Sequence, residues 1–279
     1  MNLIDDIIAR MPETELNADD YVGEDGLIYC GICNTRKQFR SRPSFLTGNE
    51  SKILPCLCKC ETERRDREEA YLKDMQKRDA IASARAEGFP DSEMSKFTFA
   101  KDDNKNKKIT EALKRYCHNF EKFRTEGKGL LLYGKCETGK TFHACCVANE
   151  LIDMGYKCMA TSFARIANTL FGLEDKQGYY DMLNSYDLLV IDDLGAERDS
   201  AYMGEIVFNV IDGRDRAGLP TIITTNLSLL EIKNPKDLTS QRIYSRIIKD
   251  CFPIEIKGIE RRREKANQDY SEFKQILGL

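Results

Sequence analysis

The sequence predicts an α/β protein: a central parallel sheet flanked by helices, with a small thiol-rich domain ahead of it. Three observations predict this. From Gly129 onward, short apolar runs alternate with stretches of helical periodicity. The first of those runs leads into "GKCETGKT", residues 134–141, a glycine-framed turn closed by a lysine and a threonine. Five of the eleven cysteines fall within the first 60 residues, where turn formers outnumber any periodic pattern.

The 279 residues suit one or two domains, at roughly 150 residues each. Apolar residues make up 41% and charged residues 32%, enough for an ordinary core under a well-solvated surface. No run approaches the roughly 18 apolar residues that span a bilayer. The opening "MNLIDDIIARMPE" carries acids early and lacks the basic-then-apolar order of a secretory signal. A cytoplasmic protein with no membrane partner is expected. In a reducing compartment, clustered thiols point to metal and scattered thiols to core packing. The net charge of -3 argues against a purely electrostatic nucleic-acid binder.

Taken in order, residues 1–60 read as a small domain in need of a staple. Residues 61–95 read as a charged helical linker, since eight acids and seven bases mix between Glu61 and Glu87. Residues 96–279 read as the α/β domain, with an amphipathic helix near Ile109–Phe123 before the first strand. Its strands are expected in "GLLLYG", "YKCMAT", "DLLVID", "LPTIITT" and "FPIEIKG". Continuous apolar strands separated by helices imply a parallel sheet buried on both faces.

The turn after "GLLLYG" fits the phosphate-binding spacing G-x-x-x-x-G-K-[ST], through Gly134, Lys135, Cys136, Glu137, Thr138, Gly139, Lys140 and Thr141. A strand before it and a helix after it, Thr141–Met154, would aim backbone N–H groups at phosphate oxygens. Lys140 would neutralise β/γ-phosphates and Thr141 would ligate Mg²⁺. Glu137 places a carboxylate in this loop, and a Cβ wherever the loop needs positive φ. Weakened nucleotide affinity is expected. "DLLVIDD" ends in Asp192 and Asp193 at a strand's C-terminal edge, where α/β sites lie. Asp192 would hold Mg²⁺, directly or through water, and Asp193 would polarise the attacking water. Asn226, in "TIITTN", could orient that water, with Thr224 and Thr225 beside it.

With these stations in order, residues 95–265 resemble the AAA+ helicase loaders of the DnaC/DnaI type, phage versions included, and their relatives the IstB-like transposition helpers. The resemblance rests on "GKCETGKTFHACCVANELI", "DLLVIDDLGAE", "PTIITTNLS" and "SQRIYSRI". It implies an AAA+ P-loop fold, ATP as nucleotide and assembly into an oligomer. It also implies that an arginine reaches a neighbour's γ-phosphate: Arg246, with Arg242 as companion. Arg262 matches an arginine that contacts nucleotide within its own subunit, ahead of Arg261 and Arg263. Arg214 matches a recurrent family arginine without an assigned role. Family phosphate loops commonly carry Gly where Glu137 stands and an apolar residue where His143 stands. Cys136, Cys145 and Cys146 are expected to pack as small apolar groups.

"YCGICNTRK" and "LPCLCKCE" give Cys30-x₂-Cys33 and Cys56-x-Cys58-x-Cys60. Two thiol pairs on separate loops can close a tetrahedral Zn²⁺ site. The resemblance favours Cys58 and Cys60 for the second pair, with Cys56 in reserve. An Fe–S cluster is open from ligand type, but structural zinc explains a coreless domain more simply. Lys37, Arg40 and Arg42 with Phe39 and Phe45 could serve single-stranded nucleic acid, whereas the loader resemblance implies a grip on the replicative helicase.

The reading is an ATP-dependent loader of a hexameric replicative DNA helicase. It would hold the helicase through the zinc module and single-stranded DNA and ATP through the AAA+ domain. The rivals are a transposition helper that binds duplex DNA and a transposase, and a zinc adaptor that binds nucleotide without hydrolysis.

Overall fold

The computed structural model describes residues 17–43, 51–103, 105–196, 200–258, 270 and 273–277. Two compact units divide between Arg78 and Asp79.

The first unit holds two short antiparallel hairpins. β1 (Tyr21–Val22) pairs with β2 (Ile28–Tyr29), and β3 (Gln38–Arg40) pairs with β4 (Ile53–Pro55). Its only buried apolar residues, among those described, are Leu27, Cys30 and Cys58. Lys37 is also buried, held by Asp20 at 2.7 Å, and Asp20 in turn accepts the Gly31 N–H at 3.3 Å. The sequence reading that offered Lys37 to nucleic acid is therefore corrected: its ammonium is spent inside the unit. α1 (Lys59–Gly88) is one unbroken helix, exposed over most of its length and laced with i,i+4 pairs such as Glu69–Lys73 and Asp74–Arg78. The boundary between the two units falls inside it.

In the second unit, two 3₁₀ turns (Met94–Lys96 and Phe99–Lys101) precede α2 (Lys107–His118) and α3 (Phe120–Thr125). The single helix expected near Ile109–Phe123 is broken at Asn119, whose amide caps the carbonyls of Arg115 and Cys117. The sheet then follows with its helices: β5 (Gly129–Tyr133), α4 (Lys140–Asp153), β6 (Cys158–Ser162), α5 (Phe163–Phe171), α6 (Lys176–Leu183), β7 (Leu188–Leu194), α7 (Ala201–Ala217), β8 (Thr221–Thr225), α8 (Leu229–Lys233), α9 (Leu238–Asp250) and β9 (Cys251–Glu255). All pairings are parallel, in the order β6-β7-β8-β5-β9. All five apolar runs form strands, as expected. Leu131, Ile191 and Ile223 face one hydrophobic cluster; Leu130, Leu132, Val190 and Ile222 face the other. Burial on both faces is why these strands read as continuous apolar runs rather than alternating ones. Parallel pairing brings the C-terminal ends of β5, β7 and β8 to one edge of the sheet.

Candidate functional site

The phosphate loop sits at that edge. Gly134 has φ +147, and a Cβ there would lie 2.4 Å from the Ile256 carbonyl oxygen, so only glycine fits. Gly139 has φ +95 and begins α4 without a side-chain cap. By contrast, Ser162, Asp175, Ser200, Ser228 and Asp237 cap α5, α6, α7, α8 and α9 through side-chain oxygens. The first N–H groups of α4 thus have no protein cap, and with the helix dipole they favour an anion.

Glu137 has φ +65. A side chain in the left-handed region costs about 1–2 kcal/mol, so the carboxylate in this loop comes with backbone strain as well as charge.

Lys140 is 5% exposed. Its ammonium donates to the carbonyls of Gly134 at 3.0 Å and Lys135 at 2.7 Å, and to Asn226 Oδ1 at 2.7 Å. Burial pulls its pKa below the ordinary lysine value, partly offset by Cys136, Asp193 and Asp192. Thr141 Oγ1 donates to Asp192 Oδ1 at 2.8 Å, and Thr224 Oγ1 donates to the same oxygen at 2.6 Å. Burial pushes the Asp192 carboxyl above its usual range; these two hydroxyls pull it back down. The Thr141–Asp192 contact joins the helix after β5 to the end of β7, and those oxygens fit the donor set of a hard divalent cation such as Mg²⁺.

The β7–β8 register shifts between Ile191 and Leu194. Within that bulge Asp193 has φ +58 and donates its N–H to Thr224 Oγ1 at 3.0 Å. Strain of this kind in a non-glycine residue clusters at functional sites, and it leaves the Asp193 side chain exposed beside buried Asp192. Thr225 donates to the Leu194 carbonyl at 2.6 Å and fixes the strand end that leads into Asn226. The structure thus brings Lys140, Thr141, Asp192, Asp193 and Asn226 to one sheet edge.

The remaining expectations divide. Arg242 is exposed on α9. Arg246, one turn later, is drawn onto Asp212 and Asp215 of α7. Arg262, with Arg261 and Arg263, lies outside the described residues. Cys145 and Cys146 are buried as expected, but Cys136 is exposed: the phosphate loop turns it outward. His143 is fully buried and faces the Gly139 carbonyl through Nδ1 at 2.7 Å, bracing the loop from behind. Arg214 acquires a role. It is 2% exposed and donates to the carbonyls of Tyr186 at 2.7 Å, Pro220 at 2.6 Å and Leu183 at 3.3 Å, which ties the segment after α6 to the start of β8. Burial, unrelieved by a direct carboxylate partner, lowers its pKa to about 10.

In the first unit, Cys30, Cys33, Cys58 and Cys60 place their sulfurs within 4.8 Å of one another. Cys30–Cys60 is 3.6 Å and Cys58–Cys60 is 3.3 Å. Four thiolates about 2.3 Å from a tetrahedral ion would stand about 3.8 Å apart, so the donor set fits zinc. Cys56 is set apart, its sulfur facing the Arg36 carbonyl at 3.5 Å. Proton sharing splits the array: the Thr35 hydroxyl is the main cause pulling Cys33 down to about 5, while the neighbouring Cys58 thiol is the main cause pushing Cys60 up to about 12. Thr35 was not legible as a functional residue. Its hydroxyl lies 3.1 Å from Cys33 Sγ and accepts the Lys59 N–H at 2.8 Å, so it links the knuckle to the start of α1, which carries Cys60. Only that junction of two distant turns reveals it.

Among the described residues no helix is long and apolar enough to cross a membrane. The replicative helicase loader DnaI of Bacillus subtilis (strain 168) is 32% identical over 170 residues, covering 55% of this chain and 52% of that protein. The replicative helicase loader DnaC of Escherichia coli (strain K12) is 28% identical over 142 residues, covering 49% of this chain and 56% of that protein. The chain thus spans about half the length of the curated relatives it matches. A crystal structure of DnaI superposes with a TM-score of 0.54 at 22% identity, over 63% of this chain and 98% of that one. A crystal structure of the DnaC helicase loader gives 0.52 at 24%, over 60% and 99%. These two likenesses show the AAA+ P-loop fold. The family model for the IstB-like ATP binding protein matches residues 63–269, and this chain belongs to that family.

Proposed function

We propose that this chain is an ATP-dependent loader of a hexameric replicative DNA helicase. The observation that carries the reading is the meeting of Lys140, Thr141, Asp192, Asp193 and Asn226 at one sheet edge, in a chain whose named relatives are helicase loaders. That pairing also favours a loader over a transposition helper.

Lys140 would exchange its bonds to Gly134, Lys135 and Asn226 for β/γ-phosphate oxygens, with the free N–H groups of α4 beside it. Freed of Lys140, the Asn226 amide would orient the water. Thr141 and Asp192 would hold Mg²⁺, which would neutralise charge developing on the phosphates. Asp193 would take the proton of the attacking water, and ATP would leave as ADP and phosphate. Arg246 of one subunit would complete the site of the next, with Arg242 as its companion, so that turnover depends on self-assembly. Arg262 is assigned to the nucleotide of its own subunit.

The module of residues 1–60, with Zn²⁺ on Cys30, Cys33, Cys58 and Cys60, would grip the helicase. There the four sulfurs would hold the ion, which would close that module's fold. The charged segment 61–95 would link it to the ATPase of residues 96–279, which would also meet single-stranded DNA. A cytoplasmic location suits these partners.

The test is helicase loading onto circular single-stranded DNA, with ATP turnover followed in parallel. Asp193→Asn is expected to bind ATP as the natural protein does, while turnover falls at least about 100-fold and helicase stays trapped with its loader. Turnover within about two-fold of the natural protein in Asp193→Asn would remove Asp193 from the chemistry, whereas no turnover above background in the natural protein would favour the non-hydrolysing adaptor.

A further inference from the structure

Arg246 does not stand free on the surface. Its Nη2 lies 2.7 Å from Asp212 Oδ1 and its Nη1 donates to the Arg242 carbonyl at 2.9 Å. Nε lies 3.5 Å from Asp215 Oδ2, too long for a hydrogen bond. The guanidinium carbon, Cζ, sits over the Phe208 ring, 4.9 Å from its centroid. Phe208, Asp212 and Asp215 lie four and three residues apart on α7, so one side of that helix supplies both the stacking face and the carboxylates. The Arg246 side chain is 26% exposed and Asp212's is 11% exposed.

We infer that Asp212 is the positioning residue of Arg246 for hydrolysis in a neighbouring subunit. The inference rests on the assignment of Arg246 made under the proposed function. A free arginine loses rotamer entropy when it is fixed against a phosphate. Here stacking on Phe208 and the charged bond to Asp212 remove that freedom before any phosphate arrives. Five N–H groups make up a guanidinium. One on Nη2 goes to Asp212, one on Nη1 goes to the Arg242 carbonyl, and Nε is turned to Asp215. Each terminal nitrogen carries a second N–H, which is left for a phosphoryl oxygen. Asp212 is shared with Arg216, whose Nε is 2.9 Å away, but that side chain is 78% exposed and stands outside the stack.

The experiment compares ATP turnover at saturating ATP and saturating protein concentration for Arg246→Ala, Asp212→Ala, Asp212→Glu and the double variant Asp212→Ala/Arg246→Ala. Binding of a fluorescent ATP analogue and thermal melting are measured on each. Asp212→Ala is expected to lower turnover at least ten-fold with KM for ATP within two-fold of the natural protein. The double variant is expected to lose no more than Arg246→Ala alone, and Asp212→Glu to recover part of the loss. Arg216→Ala, which removes only the exposed partner, is expected to leave turnover unchanged. A ten-fold fall in Arg246→Ala with full turnover in Asp212→Ala would overturn the positioning role alone. A rise in turnover of Asp212→Ala at low protein concentration would overturn it too, since Asp212 would then restrain Arg246. Unchanged turnover in Arg246→Ala would overturn the trans-arginine assignment, and the role of Asp212 with it. Should Asp212→Ala melt early, Asp212→Asn carries the test: it keeps the shape and loses the charge, and the same non-additivity with Arg246→Ala is required.

Discussion

In the sheet domain, Leu131, Ile191 and Ile223 on one face and Leu132, Val190 and Ile222 on the other are each under 2% exposed, and helices cover both sides. In the N-terminal unit the described strands are two or three residues long, and Leu27, Cys30 and Cys58 alone among its described apolar side chains are buried. The first region can be held by burial, at about 25 cal/mol per Å² of apolar surface. The second cannot, and its four sulfurs and the Lys37–Asp20 pair stand where a core would be. Stability in the first is spread over dozens of side chains; in the second, with Zn²⁺ bound as proposed, it would be concentrated in four sulfurs and one buried ion pair. Damage should follow the same division.

Under the proposed Zn²⁺ assignment, the largest effect is therefore expected from metal removal. Structural zinc on four thiolates contributes about 10–16 kcal/mol of apparent binding free energy near neutral pH, far more than these hairpins can supply. Chelation, or Cys58→Ser with Cys60→Ser, should unfold residues 17–58 as read by amide hydrogen exchange. Protection in β5, β7 and β8 should stay within experimental error, whereas parallel loss of protection in both regions would break the comparison.

A mid-sized effect is expected where the sheet domain concentrates its own risk. Arg214→Met strands the carbonyls of Leu183, Tyr186 and Pro220. The cost should be about 3 kcal/mol, read as a fall of about 9 °C in Tm. The thiol array should keep its zinc stoichiometry. An unchanged Tm would show that the three carbonyls find other donors.

The smallest effect belongs to Glu137. Glu137→Gly removes a strained left-handed residue and a carboxylate from the phosphate loop. ATP affinity should tighten by about 1 kcal/mol, roughly five-fold, with zinc binding unaltered. Weaker ATP binding by calorimetry would mean that Glu137 assists the nucleotide.

The same division governs how much could be read from the chain. The five strands were legible because burial on both faces leaves unbroken apolar runs, and the phosphate loop because its glycines have local backbone reasons that spacing records. Cys30, Cys33, Cys56, Cys58 and Cys60 were legible as ligand candidates because thiols without disulfide partners have few other reasons to cluster; spacing left Cys56 in the set, and only the family resemblance ranked it below Cys58 and Cys60. Three features were not legible, and each depends on a partner far along the chain. Lys37 looked like a surface cation until Asp20, 17 residues earlier, closed on it. Arg246 looked free until α7, which carries Asp212, packed against α9. Thr35 gained its place only when Lys59, 24 residues later, met it. Local spacing records backbone geometry and periodic burial; it leaves no mark of which acid a given base will meet.

The most direct measurement is co-elution of this protein with its replicative helicase, with and without ATP, before and after zinc removal, with ATP binding assayed on the same samples. The account predicts a complex that ATP modulates and chelation abolishes, while the chelated protein still binds ATP. A complex that survives chelation would contradict the assignment of the helicase grip to the thiol module. No complex under any condition would contradict the loader reading for that helicase.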